Sequence, residues 1–468
     1  MLFTMVKLLF ETAVKIGLVL AMSVTALAQT DADRERRLAD LERKLRQLDP
    51  SFAVPVTDSV DARLSTLEQR IDQLLANRTS TAPLPQTQPM ASAPIAPPTS
   101  QPSTSPLQPV SITGDYQTSG EGETRLPVAG YMDFHVNKDR GEPARPDFHR
   151  FVLLFGHSFS DRIKFWSEFE LEHSLIEGGE ETGEIALEQA YLDFLIKPWL
   201  NLRGGMLLTP VGIVNERHEP PSFNGVERPF VETTIIPSTW RELGFGLTGD
   251  LGRGFRYRSY MLSSLDASRF NAENGIAEGR TAGFDASFRN PAVSGRLEYA
   301  GVRRLTLGAS LYTGKSGFNL VSVNPRVTLA SFDGRYSYRR LDFRGLFANT
   351  WISQARELNE VLERQTGFVQ NVAKQLRGYY FEPAVHILPR RFRNDVILFT
   401  RYEKYNTQHR MPDGYVPLRQ FNRSSWVTGV TYKPNADVAF KFDYVFNRNA
   451  STFVRTLDSV NLGLGWWF

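Results

Sequence analysis

The chain has 468 residues, a formal net charge of +3 and no cysteine. The small charge and the dispersed arginines argue against nucleic-acid binding, and the lack of cysteine excludes a disulfide framework and a thiolate metal site. Charged residues interrupt every apolar run beyond the N-terminal segment, so the sequence also excludes a helical membrane protein.

The first element in the chain has the pattern of an export signal. Two lysines precede an uncharged stretch over residues 16–26, and the small residues Ala26 and Ala28 form a cleavage motif. We expect a signal peptide over residues 1–28, cleaved after Ala28. The alternative is a membrane-anchoring helix, but such a helix needs about 20 apolar residues and this stretch is shorter.

Residues 29–77 predict an α-helical coiled coil that joins several chains. Apolar residues recur in steps of three and four, which places them on one stripe of a helix with charged flanks. They are Leu38, Leu41, Leu45, Leu48, Val60, Leu64, Leu67, Ile71 and Leu74. The alternative is an amphipathic helix folded onto its own chain. We prefer the coiled coil because a linker, and not a core, follows it.

Residues 78–125 predict that linker. Nine prolines lie between residues 78 and 112, among Ser, Thr, Gln and Ala, and this composition cannot bury enough apolar surface to fold. We expect a semi-extended spacer, and a contact with peptidoglycan is the other role considered for it.

From residue 126 to residue 468 the apolar period changes from 3.6 to 2. In the first such segment the apolar set Val128, Met132, Phe134 and Val136 alternates with Tyr131, Asp133 and His135. Each predicted strand therefore has one apolar and one ionic face. A soluble β-sandwich would give the same alternation, so further features are needed to separate it from a membrane barrel.

Three further features predict a membrane barrel. Very short connections, such as Arg339-Arg340, alternate with long ones, such as Val211 to Thr239, and their spacing accommodates about 16 strands. Aromatic residues lie at predicted strand ends, as in the girdles of membrane barrels. These aromatic residues are Trp166, Trp199, Tyr257, Tyr260, Tyr336, Tyr338, Trp351, Tyr379, Tyr380, Trp426 and Tyr432. The alternating strand from Val460 to Phe468 is similar to the sorting signal read by the bacterial barrel-assembly machinery.

The sequence thus predicts an all-β fold, an antiparallel transmembrane β-barrel of about 16 strands preceded by the helical coiled coil. Several segments of this region resemble the phosphate-selective porin O/P family. They are GGMLLTPVG at 204–212, PFVE at 229–232, IIPSTWRELG at 235–244, GYYFE at 378–382 and FTRYEKY at 399–405. The resemblance implies a trimeric barrel of the bacterial outer membrane through which small anions such as phosphate or carboxylates diffuse.

Arginines of the inward phase are the candidates for anion selectivity, because a guanidinium group stays charged and matches phosphate or carboxylate oxygens. The candidates are Arg203, Arg256, Arg258, Arg335, Arg344 and Arg401 on strands, and Arg217 and Arg228 in the long connection. Many carboxylates share the inward phase, so these arginines can also serve as neutralising partners. We expect Arg401 to pair with Glu403, and Arg241 with Glu242.

The predicted function is therefore an outer-membrane porin for passive diffusion of small hydrophilic solutes. Its expected partners are membrane lipid, small anions, the barrel-assembly machinery and two further copies of the chain. The alternative is a plugged structural barrel that anchors the periplasmic coiled coil. We expect no enzymatic activity, cofactor or metal site, because the seven histidines form no HExxH or His-x-His motif; a catalytic triad on Ser158 or Ser167 is the remaining enzymatic alternative.

Overall fold

The computed structural model describes residues 128–173, 184–283, 288–318, 320, 322–389 and 392–468. The predicted signal peptide, coiled coil and linker lie outside the described residues. Within the described ranges, sixteen strands form one closed antiparallel barrel, which confirms the predicted barrel. No helix in these ranges combines the length and the apolar character needed to cross a membrane.

The strands follow one another around the barrel in chain order. They are β1 (Val128–Asp139), β2 (Arg145–Ser160), β3 (Ile163–Glu172), β4 (Glu184–Lys197), β5 (Leu200–Leu208), β6 (Arg241–Gly252), β7 (Phe255–Leu262), β8 (Ala292–Tyr299), β9 (Leu305–Lys315), β10 (Arg326–Tyr338), β11 (Leu341–Ile352), β12 (Gln375–His386), β13 (Asp395–Arg410), β14 (Asn422–Lys433), β15 (Val438–Asn449) and β16 (Ser459–Trp467). One α-helix of the described residues, α1 (Ala355–Thr366), lies between β11 and β12. Short helical turns at Pro220–Ser222 and Val231–Ile235 lie between β5 and β6.

The barrel closes where β16 pairs with β1. Phe134 lies opposite Leu464 in this pairing, and the register continues along both strands. Beyond the end of β16, the Phe468 amide donates to the Gly130 carbonyl at 2.9 Å, and the Gly130 amide donates to the Phe468 carbonyl at 3.0 Å. Closure leaves no sheet edge, so every strand has two hydrogen-bonded neighbours.

Side chains alternate between the two faces of each strand. On β10, Phe332 is 61% exposed, whereas its neighbours Ser331 and Asp333 are buried. Other strands also carry large apolar side chains on the outside, among them Leu311, Phe381, Leu398, Phe442 and Leu462. An apolar outer face and an ionic inner face suit a barrel surrounded by lipid.

Short turns join the strands at one end of the barrel, and longer loops join them at the other. The turn between β6 and β7 contains Arg253 at φ 53° and Gly254 at φ 86°, the left-handed pair that a tight hairpin requires. A Cβ atom on Gly254 would lie 2.2 Å from the Gly301 amide nitrogen, so only glycine fits there.

The girdle prediction was wrong for three aromatic residues. Trp166 and Tyr260 are buried in a cluster with Tyr131 and other inward residues, and Tyr380 is buried as well. All three side chains point into the barrel. A position near the end of a strand therefore did not show whether the side chain faces lipid or the lumen. Other predicted girdle residues, such as Trp199 and Trp426, are exposed on the barrel.

Candidate functional site

The connection between β5 and β6, residues 209–240, folds into the barrel, and we call it the inner loop. Its two ends are tied together, because the Thr209 amide donates to the Trp240 carbonyl at 2.7 Å. The Asn215 side chain bridges the same two residues: its amide group donates to the Thr209 carbonyl and its oxygen accepts from the Trp240 amide, both at 2.8 Å. The loop thus begins and ends at one fixed point of the wall.

A buried carboxylate fixes the next part of the inner loop. Glu232 Oε2 accepts from the amides of Ile213 (2.6 Å) and Val214 (2.8 Å), and Tyr380 of β12 donates to Oε1 at 2.7 Å. Burial raises the pKa of Glu232 to about 7, although these donors act in the opposite direction. Gly212 precedes this contact at φ 78°, a backbone conformation that favours glycine.

The inner loop is held across the lumen mainly through its backbone. Side chains of the wall donate to loop carbonyls in four bonds: Arg344 to Ser222 (2.8 Å), Lys433 to Pro221 (2.7 Å), Lys441 to Gly225 (2.7 Å) and Thr431 to Asn224 (2.6 Å). Asp443 and Glu403 accept from the amides of Val226 (2.6 Å) and Val231 (3.0 Å). The wall residues belong to strands on the far side of the barrel from β5 and β6, so the loop spans the lumen.

Side chains attach the inner loop to the wall formed by β1 and β4. His218 contacts Glu188 of β4 at 2.8 Å, and Asn137 of β1 donates to Glu227 at 2.9 Å. Burial lowers the pKa of His218, but the Glu188 carboxylate outweighs this effect and the pKa is raised. The histidine therefore favours its charged form against that carboxylate.

Arg401 lies beneath the inner loop. Its side chain is 1% exposed and donates to Glu403 at 2.7 Å and to Glu382 at 3.1 Å. Gly225 of the loop passes directly over it, since a Cβ atom there would lie 3.2 Å from Nη1 of Arg401. The expected pair with Glu403 is present, and Arg401 does not border an open part of the lumen.

Arg203 and Arg228 are also engaged locally. Arg203 forms a bidentate ion pair with Asp193 through two hydrogen bonds of 2.7 Å each. Its guanidinium carbon lies 4.1 Å from the centroid of the Tyr191 ring. Arg228 of the inner loop donates to Ser238 Oγ at 2.6 Å within the same loop. Arg203 is therefore neutralised on the wall, and Arg228 braces the loop.

The other five candidate arginines form a group, which we call the open-side arginines. They are Arg217 of the inner loop, Arg256 and Arg258 of β7, Arg335 of β10 and Arg344 of β11. The side chains of Arg256, Arg258 and Arg335 are 34%, 23% and 26% exposed, against 1% for Arg401. Water and a dissolved solute can reach guanidinium groups with this exposure.

Positive charge exceeds negative charge around this group. Glu298 of β8 is shared by three guanidinium groups, at 3.4 Å from Arg256, 3.5 Å from Arg296 and 3.8 Å from Arg335. Arg296 also pairs with Asp333 at 2.6 Å, and Arg258 pairs with Glu216 at 3.1 Å. The open-side arginines and Arg296 are thus six guanidinium groups against these three carboxylates. Arg335 also faces like charge from Arg217 and Arg344. The low-dielectric wall of a barrel strengthens the electric field of such an excess of charge.

The expected pair between Arg241 and Glu242 is absent. Arg241 lies 3.8 Å from Glu188 of β4, whereas Glu242 accepts from Ser263 at 2.5 Å and from the Trp240 indole at 3.3 Å. The two adjacent residues find partners on different neighbouring segments. Sequence adjacency was therefore misleading here.

Neither serine considered for a catalytic triad is hydrogen-bonded to a histidine in the described part of the chain. Ser158 accepts from Lys164 at 2.9 Å, and no hydrogen bond joins Ser158 or Ser167 to a histidine among these residues. Three of the histidines, His135, His149 and His173, instead stack on one another. His135 and His149 stack with ring centroids 4.3 Å apart, a contact that no spacing motif in the sequence indicated.

Comparison with known proteins identifies a relative. An uncharacterized protein of Aquifex aeolicus (strain VF5) is 36% identical over 334 residues, which are 68% of this chain and 74% of the relative. The chain belongs to the family of that protein. No family model matches the chain. The resemblance to the phosphate-selective porin O/P family therefore stays a prediction.

Solved structures with low sequence identity share the barrel fold. Salmonella typhi OmpF, solved in complex with daunomycin, is 14% identical with a TM-score of 0.50, covering 74% of this chain and 98% of that one. The anion-selective porin from Comamonas acidovorans is 11% identical with a TM-score of 0.48, covering 74% of this chain and 100% of that one. The similarity to OmpF shows that this is a porin-like barrel of 16 strands.

Proposed function

We propose that the chain is an outer-membrane porin that passes small hydrophilic solutes and favours anions such as phosphate or carboxylates. The observation that carries this proposal is the excess of positive charge at the open-side arginines, where Arg256 and Arg335 share Glu298 and Arg258 pairs with a second carboxylate, Glu216. A pore of fixed width selects ions by the charge that lines it, and these arginines remain charged at any physiological pH.

The inner loop supports a selective pore. A bare barrel of 16 strands encloses a wide channel, and a loop that crosses the lumen narrows it. Because this loop is bonded to β11, β13, β14 and β15, it directs solutes toward the side of the lumen that carries Arg258 and Arg335. The mechanism is electrodiffusion past fixed charges.

The family resemblance supports the same interpretation. Two of the quoted motifs meet in space, because Glu232 of PFVE accepts from the amides that follow Gly212 of the TPVG motif. The resemblance thus falls on residues that set the path of the inner loop. On this proposal the barrel works as a homotrimer in the bacterial outer membrane, assembled there through Phe468, and residues 29–77 form a coiled coil in the periplasm.

The test is the reversal potential of the purified full chain in a planar bilayer under a chloride gradient, repeated with millimolar phosphate. We expect an anion-selective potential and a phosphate block. Removing one charge about 7 Å from the ion path changes the energy of a monovalent ion by about 0.6 kcal/mol in water, or nearly 3-fold in permeability. The variants Arg258→Gln and Arg335→Gln should each lower the anion-to-cation permeability ratio by about that factor.

The matched control is Arg340→Gln, because Arg340 is exposed in the turn after β10 and lies outside the lumen. It should leave the reversal potential unchanged. A wild-type potential near zero or shifted toward cations would leave a general porin without anion preference. Absence of conductance would favour the structural anchor, in which the inner loop acts as a plug.

A further inference from the structure

Three histidines form a stacked ladder inside the barrel near the long-loop end, and we call them the histidine cluster. His135 of β1 and His149 of β2 stack at 4.3 Å between ring centroids with 19° between planes. His149 and His173, which follows β3, stack at 5.3 Å and 24°.

A β-bulge brings His149 into this ladder. Asp133 of β1 pairs with Arg150 of β2, but His135 pairs with Asp147, so two residues of β2 lie opposite one residue of β1. Regular alternation would direct His149 away from the face that Arg150 occupies. The extra residue instead places His149 beside His135, and bulges commonly redirect a side chain in this way at functional sites.

Four carboxylates surround the histidine cluster. The closest contacts are Glu227 to His135 Nδ1 (2.8 Å), Asp147 to His173 Nδ1 (3.0 Å), Glu172 to His149 Nε2 (3.2 Å) and Asp133 to His149 Nδ1 (3.5 Å). Among the described residues, the guanidinium group of Arg150 contacts the group directly at His149 Nε2 (2.8 Å) and through Glu172 and Asp133. With neutral imidazoles the cluster carries excess negative charge, so it attracts a cation.

Two ring nitrogens on the buried side of the cluster are left without a well-aligned hydrogen bond. They are Nδ1 of His135 and Nδ1 of His149, and the His135 side chain is only 4% exposed. A bound metal ion uses such nitrogens in their neutral form.

We propose that Asp133, His135 and His149 bind one divalent transition-metal ion, such as Zn²⁺ or Ni²⁺. One ligand atom from each of the three residues lies within 4.8 Å of the others, so small side-chain adjustments bring them to one ion. Two imidazoles and one carboxylate suit these metals, whereas Ca²⁺ and Mg²⁺ prefer ligand sets made of oxygen alone.

The surroundings of His149 complete the site. When Nδ1 of His149 ligates the ion, Nε2 carries the proton and donates to Glu172, 3.2 Å away, the supporting contact that metal-bound histidines usually have. Arg150 Nη2, which lies 2.8 Å from Nε2 in this structure, then turns fully to Glu172, 3.3 Å away, because a guanidinium group only donates. The other side of the His149 ring, where Nε2 lies near Glu172 and His173, is less suitable for a metal ion because the positively charged Arg150 Nη2 lies 2.8 Å from Nε2. The exposed His173 lies at the rim, where an ion would enter.

The test uses the untagged full chain, folded in detergent and stripped with EDTA. Binding of Zn²⁺ is measured by isothermal titration calorimetry, and the bound metal is counted by mass spectrometry after desalting. We expect one ion per chain. Residues 1–127 contain no histidine, so an imidazole-dependent signal comes from the barrel. Removing even a supporting contact costs about 10–100-fold in affinity, so His149→Gln and His135→Gln should each cost at least about 100-fold.

The matched control is His157→Gln, on the same strand as His149 but about 26 Å farther along it, and it should bind Zn²⁺ like the wild type. Folding of each variant is checked by the heat-dependent shift in gel mobility. Absorption of the wild-type chain loaded with Co²⁺ reports histidine ligation without any substitution. A wild-type chain that binds no Zn²⁺ and gives no Co²⁺ band overturns the proposal. So does a folded His135→Gln variant that retains affinity.

Discussion

The arginines of this lumen have two different roles, and the exposure of each side chain distinguishes them. Arg401 is enclosed by Glu382, Glu403 and the backbone of the inner loop, whereas Arg335 remains 26% exposed beside a shared carboxylate. A guanidinium with two buried partners has little charge left to offer a passing anion. Arg401 therefore holds the loop in place, whereas the guanidinium group of Arg335 is in contact with the water of the lumen.

Substitution of Arg401 tests this division. Arg401→Met leaves two carboxylates buried without their cation, and breaking such a pair costs about 3–5 kcal/mol. We expect a clear fall in the thermal midpoint of unfolding, measured by the heat-dependent gel shift. The control is Arg448→Met, because Arg448 pairs with Asp458 on the surface with 64% exposure and should cost less than about 1 kcal/mol. Equal midpoints for the two variants would contradict this role of Arg401.

At the scale of elements, the inner loop depends on the protonation of Glu232. The folded loop raises the pKa of this carboxyl to about 7 from an ordinary value near 4.5, so the folded form binds the proton more tightly than the unfolded form. The contribution of Glu232 to loop stability is full below about pH 4.5 and declines as the pH rises through 7.

Conductance recordings at pH 5.5 and pH 8 measure this dependence. In the wild type we expect more frequent flickering of the open channel at pH 8, because the ionised Glu232 destabilises the loop position. Glu232→Gln mimics the neutral form and should flicker equally at both values. The comparison of the two proteins separates Glu232 from other titrating groups, and an unchanged pH dependence in Glu232→Gln would refute its role.

The elements of the barrel could be predicted from the sequence, but the site could only partly be. The alternation of apolar and polar residues correctly predicted that Asp133 and Arg335 face the lumen, because side chains in a strand point to opposite faces in turn, whichever strands it pairs with. The bulge at His149 is invisible to that rule, since one inserted residue changes the direction of a side chain without changing composition. The path of the inner loop could not be predicted either, because it depends on distant contacts. The Val226 amide, for example, binds Asp443, which lies 217 residues further along the chain.

At the scale of the whole molecule, the barrel depends on the closure between β1 and β16. The backbone of Phe468 exchanges two hydrogen bonds with Gly130, and its ring stacks on Phe151 with centroids 6.2 Å apart. The ring also lies so close to Gly130 that a Cβ atom there would be 2.5 Å from it. The last residue thus covers the seam where the two ends of the barrel meet.

Two variants separate the contributions of Phe468. Phe468→Ala keeps the backbone bonds and loses the ring, whereas deletion of Phe468 removes both. We expect less folded barrel in the outer-membrane fraction for Phe468→Ala and still less for the deletion, because the pairing of β1 with β16 is what removes the sheet edges. The measurement is the share of heat-shifting protein in that fraction. Wild-type yield in both variants would show that the seam closes without this residue.

The way in which the inner loop is attached has a consequence for evolution. The wall binds the inner loop through backbone groups: the carbonyls of Pro221, Ser222, Asn224 and Gly225 and the amide of Val226. Every amino acid has these backbone groups, except that proline lacks the amide hydrogen. Side chains at loop positions that the wall binds only through the backbone, such as Ser222, can therefore diversify while the wall residues stay constant. A lineage that inherits this scaffold can change the solutes it admits by substitutions in a few loop positions, without redesigning the barrel.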